Sequence, residues 1–198
     1  MEETIAAVIE GAVIIVYTSE NTKYLRAFLD RAPGRYGVVR QLNFNSFSRC
    51  STNVPVNQDL ELAVRCTGLR TITLILDDEN LTLDVFSGDG TSDDGTSDGP
   101  VLIPMKPEDL YANFELERLL DCNLLSKIII EHCNYTSVAE DVVIELGQML
   151  RQAITKKGTR QTVEILRHYG SSTHGYGLIN DYQKLIGTDL ALVGDNWQ

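Results

Sequence analysis

Three stretches of the chain share one phrase: an amphipathic segment, a tight corner, then a run whose apolar residues alternate with polar ones. Tyr24 to Phe44 carries Tyr24, Leu25, Phe28 and Leu29 at helical spacing, a stop at Ala32-Pro33-Gly34, then Val39-Arg40-Gln41-Leu42-Asn43-Phe44. Leu60 to Leu74 carries Leu60, Ala63 and Val64, the corner Cys66-Thr67-Gly68, and Leu69-Arg70-Thr71-Ile72-Thr73-Leu74. Phe114 to Ile130 runs through Leu116, Leu119 and Leu120 to the corner Cys122-Asn123-Leu124, then Leu125-Ser126-Lys127-Ile128-Ile129-Ile130. Val138 to Ile165 is a fourth copy with a longer amphipathic segment. Each phrase switches from a period near 3.6 to a period of 2, the signature of a helix running into a strand. Neither element buries its apolar face alone, so units of this kind must stack, strands forming a parallel sheet with helices packed on it. The predicted fold class is therefore α/β, a mostly parallel sheet built from irregular helix–strand units. The alternative is a doubly wound α/β sheet.

Stacking makes the two sheet faces unlike. One is predicted to pack on helices through Leu42, Phe44, Ile72, Leu74, Ile128, Ile130, Val163 and Ile165. The opposite face then carries Gln41, Asn43, Thr71, Thr73, Lys127, Ile129, Glu131, Thr162 and Glu164. That set is largely polar, which predicts a face open to solvent rather than covered. An open face of a repeat array is a natural protein-binding surface, and these nine residues are the candidate site. Polar residues on an exposed sheet face also occur simply to solvate it.

The remaining chain reads as one domain over residues 1–198. Ala12 to Tyr17, apolar and β-branched, predicts a strand buried on both faces; Asn21 or Thr22 caps the helix after it, and Asn57 caps the helix of the second unit. Asn45 to Asn57 reads as loop, and Leu81, Leu83 and Val85 as a short extra strand. Ser87 to Gly99 repeats Asp-Gly-Thr-Ser-Asp in tandem and predicts a disordered acidic insertion. Its aspartates lack the glycine and glutamate positions of an EF-hand loop. Pro107-Glu108-Asp109 opens a helix leading into the third unit. Ser137 to Glu140 is a capping box, with Val142, Leu146, Met149, Leu150 and Ala153 in one stripe and Lys156-Lys157-Gly158 as the stop. A last helix is predicted near Asp181 to Ile186.

Seventeen basic and 28 acidic residues leave a net charge of −11, which argues against nucleic acid or an anionic membrane as partner, since both require a basic footprint. Met1-Glu2-Glu3-Thr4 lacks the basic start of a signal peptide, and the apolar run Ile5 to Tyr17 is too short to span a bilayer. Four cysteines without a Cys-x-x-Cys pair predict reduced thiols and a cytoplasmic or nuclear protein. Cys66 and Cys122 hold the same place before a corner, which predicts a packing role. His132, His168 and His174 are scattered, without the spacing of a metal site. The Gly170 to Gly177 loop lacks a P-loop lysine. No cofactor or metal is predicted. An enzyme is the competing reading: in a doubly wound fold the active site lies at the carboxyl ends of strands, here Thr18 to Asn21, Asn45-Ser46, Asp77-Asp78-Glu79 and His132-Cys133-Asn134. Asp77, Asp78 and Glu79 could gather a divalent cation there; a solvated acidic turn explains the same residues.

Leu69-Arg70-Thr71-Ile72-Thr73-Leu74, after a helix ending in Cys66-Thr67-Gly68, looks like an irregular leucine-rich repeat. From Ile14 to Leu166 the arrangement resembles the repeat part of fungal F-box-associated, leucine-rich-repeat-like proteins; no F-box segment is read in the chain. The resemblance implies a protein-interaction role with a protein partner of unknown identity.

Overall fold

Apolar residues recurring at helical and then at alternating spacing can all be buried at once only if the helices lie together on one side of the strands. The computed structural model shows this arrangement; it describes residues 2–31, 34–47, 56–85, 101–133, 140–168 and 182–184. Helix α1 (Glu2–Gly11) leads to β1 (Val13–Val16), α2 (Ser19–Asp30), the short α3 (Arg35–Val38) and β2 (Gln41–Phe44). Then come α4 (Gln58–Arg65), β3 (Thr71–Asp77), α5 (Asp78–Leu81), and β4 (Thr82–Val85) paired antiparallel with β5 (Val101–Pro104). Helix α6 (Pro107–Asn113), a 3-10 helix (Leu116–Asp121), β6 (Lys127–Cys133), α7 (Glu140–Lys157), β7 (Thr162–His168) and β8 (Tyr182–Lys184) complete the order.

The main sheet is ordered β1-β2-β3-β6-β7-β8, with parallel pairing from β1 to β7. Strand order follows chain order, and crossovers between parallel strands are right-handed, so every crossover places its helices on the same side. Among the described strands the order never reverses. The switch point that defines a doubly wound sheet is therefore missing from them, and the stacked-unit reading of the α/β class fits.

The core lies between the sheet and this helical layer. Leu42, Phe44, Ile72, Leu74, Ile128, Ile130, Val163 and Ile165 are all buried, as their alternation requires. Phe44, Phe47 and Phe114 extend the core, with Phe47 and Phe114 rings 5.3 Å apart. Helices α2 and α4 lie side by side through three polar rungs: Thr22 donates to Asp59, Arg26 to both carboxylate oxygens of Glu61, and Arg65 to Asp30. Cys66 and Cys122 are buried under their corners, and burial pushes their thiols up to about 12 and about 11. Both act as small apolar wedges.

Several expectations change. The apolar run of β1 is buried on one face only, because the helices pack on one side of the sheet: Val13 and Ile15, in phase with Gln41 and Asn43 on the other side, are 54% and 46% exposed. Tyr24 and Phe28 sit on the side of α2 away from α4 and are exposed. The helix opened by Pro107 does not continue into the third unit. It stops at Asn113, Glu115 adopts a left-handed conformation (φ 56°), and the chain resumes as a 3-10 helix. Residues 182–184 form a strand rather than a helix, because the free edge of β7 offers an antiparallel ladder. α1 precedes the Ala12 to Tyr17 strand and is an element that the sequence patterns above do not include. The insertion 87–99, the capping residues Ser137 to Ala139 and most of 45–57 lie outside the described residues. No helix among the described residues is long and apolar enough to cross a membrane.

Candidate functional site

Parallel pairing brings the predicted residues into register. Gln41, Thr71, Lys127 and Thr162 form one row across the sheet; Asn43, Thr73, Ile129 and Glu164 form the next. Glu131 stands in a third row with Ile75 and Leu166. Side chains alternate along a strand, so all nine share one face, opposite the buried apolar set.

Their environments differ along and across that face. Gln41 and Thr162 are exposed, while Asn43, Thr71, Lys127, Ile129 and Glu164 are half-buried. Thr73 is only 8% exposed and Glu131 only 9%. Lys127 Nζ reaches Glu164 Oε2 at 2.9 Å across adjacent strands, so the pair presents a dipole rather than two lone charges. The face thus grades from apolar at β1, where Val13 and Ile15 continue the two rows, to an ion pair at β6 and β7. Val13 and Ile15 were missed as face residues; their phase with Gln41 and Asn43 is the signal that identifies them.

The strand direction also sorts charge. The carboxyl ends carry Asp77, Asp78, Glu79 and Glu131, and there Cys133 is pushed up to about 11 by burial and by the charges of Asp77, Glu131 and Asp78. Asp77 is raised by burial and by Glu79 and Asp78. The amino ends carry Arg40, Arg70, Lys127 and Arg160. Backbone bonds join this rim: Arg40 O accepts from Arg70 N, Arg70 O from Ser126 N and Oγ, and Ser126 O from Thr162 N.

The residues proposed for acidic chemistry divide between the two faces of the sheet. Asp77 and Cys133 lie on the face opposite the helices; His132, one residue on from Glu131, points to the helical side. Its Nε2 lies 2.6 Å from Asp78 Oδ1, and the ring is 0% exposed. Its Nδ1 has no hydrogen-bond partner among the described residues. Cys133 and His132 thus occupy opposite faces and cannot act as a nucleophile–base pair. Among the described residues, no group of three or more His, Cys, Asp or Glu is placed to hold a metal ion. The His132–Asp78 contact was not foreseen, because 54 residues separate the partners.

Comparison with protein-family models, with curated proteins and with solved structures returned no match.

Proposed function

We propose that this chain is a leucine-rich-repeat-like protein-interaction module that presents the open face of its parallel sheet to a protein partner. One observation carries the reading: nine residues from four strands fall into register on a single face, while the described helices that pack against the sheet lie on the other side. A rigid sheet fixes the spacing of these side chains before any partner arrives, which lowers the ordering cost of binding. Mechanism is display. The apolar Val13 and Ile15, the Ile129 row and the Lys127–Glu164 pair supply shape and polarity for recognition, within the reducing cytoplasm or nucleus.

The test is a crosslinking capture with residue-specific readout. Gln41→Arg, Ile129→Glu and Thr162→Arg together replace face residues that are exposed or half-buried, leaving the nearly buried Glu131 in place. The triple variant should lose the protein crosslinked to the wild-type face while keeping its melting temperature. A control carrying Lys23→Glu and Tyr24→Glu, on exposed α2 positions, should retain it. Unchanged capture by the triple variant defeats the proposal. The second reading, an α/β enzyme with an acidic site at the strand ends, is favoured by the buried Asp78–His132 pair alone. A calorimetric titration with Mg²⁺ or Ca²⁺ that gives heat in the wild type and none in Asp78→Asn would support it; no heat in the wild type removes its cation site.

A further inference from the structure

We propose that a groove at the amino-terminal rim of the sheet, between the 3-10 helix and the end of α7, binds an acidic peptide segment. Two adjoining cavities of about 630 and 580 Å³ share Leu120, Asp121 and Lys157 in their walls. The charged residues that line it are Arg118, Lys156, Lys157 and Arg160 against Glu117 and Asp121. Positive charge outnumbers negative there, in a chain whose total is −11. Lys157 is committed to Asp121 and to Leu120 O, and Arg118 to Glu115. Lys156 and Arg160 are exposed and make no ion pair among the described residues. Arg70 lies next to this groove, since its carbonyl accepts from Ser126, a wall residue.

The chemistry of the wall selects among anions. Gln161 Oε1 is buried and without a partner, while its Nε2 is aimed at Leu119 O and Cys122 O. An unpaired buried acceptor needs a donor, which a peptide N–H supplies and the phosphodiester backbone of a nucleic acid does not. Thr159 Oγ1, also buried and unpartnered in the same wall, can donate to a peptide carbonyl. Leu120, Leu125 and the 56% exposed Leu124 give an apolar floor. Acidic side chains meet Lys156 and Arg160, apolar ones meet the leucines, and backbone meets Thr159 and Gln161. A long polyanion such as nucleic acid would run past the rim onto an acidic molecule and be repelled.

The experiment is fluorescence anisotropy with a labelled peptide of alternating Glu and Leu. A peptide of roughly twelve residues covers up to about 40 Å when extended. A matched peptide of alternating Lys and Leu is the control, and inorganic phosphate and a single-stranded oligonucleotide are competitors. Saturable binding of the acidic peptide alone is expected, weakening with salt as screening requires. Lys156→Glu with Arg160→Glu should weaken it at least tenfold with an unchanged melting curve, and Leu124→Asp should weaken it as well. The open-face triple variant should bind the peptide like the wild type. Absence of saturable binding, equal binding of the basic peptide, or indifference to the double charge reversal overturns the proposal. Displacement by phosphate or oligonucleotide at equal concentration overturns the assignment to a peptide.

Discussion

Gly68 marks a place where two units touch closely. A Cβ added there would stand 2.0 Å from the carbonyl oxygen of Gly37 and 2.2 Å from Arg40 Nη1, and that guanidinium donates to the carbonyls of both glycines. Gly68→Ala should therefore cost about 1–3 kcal/mol, typical of overpacking against backbone. At this chain length that is a fall of about 2–4 °C per kcal/mol in thermal melting; a change within error would show that the corners are not in contact. Asp59 is a second informative residue. Burial raises its carboxyl above the usual value, against the hydrogen bond from Thr22. The unfolded carboxyl titrates near 3.9, so between that value and the higher folded one the native state holds the extra proton. Stability from this group is then greatest below about 3.9 and declines as pH rises through the folded pKa. Asp59→Asn, which keeps an acceptor for Thr22, should flatten that part of the pH–stability curve measured by chemical denaturation. Cys66 and Cys122, with thiols pushed up to about 12 and about 11, should resist iodoacetamide at pH 8 in the native protein and react once it is unfolded. Peptide mapping by mass spectrometry reads this directly, and rapid native labelling would remove their role as packing wedges.

Among the elements, the third unit departs most from the repeat. α6 and the 3-10 helix are separated by Glu115, whose left-handed backbone is unusual for a residue with a side chain. Two contacts hold it there: its carboxylate accepts from Asn57 N at 3.0 Å and from Arg118 at 3.0 Å. Asn57 in turn caps α4 and donates to Phe114 O, so the helix start of one unit is tied to the turn of the next. Glu115→Ala keeps the strain and loses both contacts, whereas Glu115→Gly loses the contacts and relieves the strain. Equilibrium urea denaturation should find the alanine variant less stable than the glycine variant by about 1 kcal/mol, the reverse of their order in an ordinary helix. Alanine equal to or better than glycine would refute the strained-turn account.

At the scale of the molecule, a stacked array has ends and a middle. β3 and β6 are paired on both sides, while β1 is an edge with exposed Val13 and Ile15. Each unit contacts chiefly its neighbours, so opening should begin at the ends. Hydrogen–deuterium exchange followed by mass spectrometry should show slowest exchange in 71–76 and 127–132 and fastest exchange, among the parallel strands, in 13–16. Uniform protection across the five strands would indicate a single all-or-none unit. The same stacking aligns the strands, so basic side chains gather at the amino rim and acidic ones at the carboxyl rim.

The sequence alone determined the α/β class, the parallel stacking and the division of the sheet into an apolar and a polar face. Alternation with period 2 records the burial of every second side chain, and the eight residues assigned to the core face are buried as that pattern demands. It also showed the place of Cys66 and Cys122, because a repeat exposes equivalent positions. Only the tertiary structure decided that helices cover a single face of β1, and so why Val13 and Ile15 stand exposed in a run that reads as core. Only it set the strand character of 182–184, which depends on a partner edge, and the break at Glu115, which depends on Asn57 in another unit. The Asp78–His132 pair and the Arg118–Lys156–Arg160 groove also belong to the fold. Their residues lie far apart or in different elements, and local pattern carries no information about distances closed by packing.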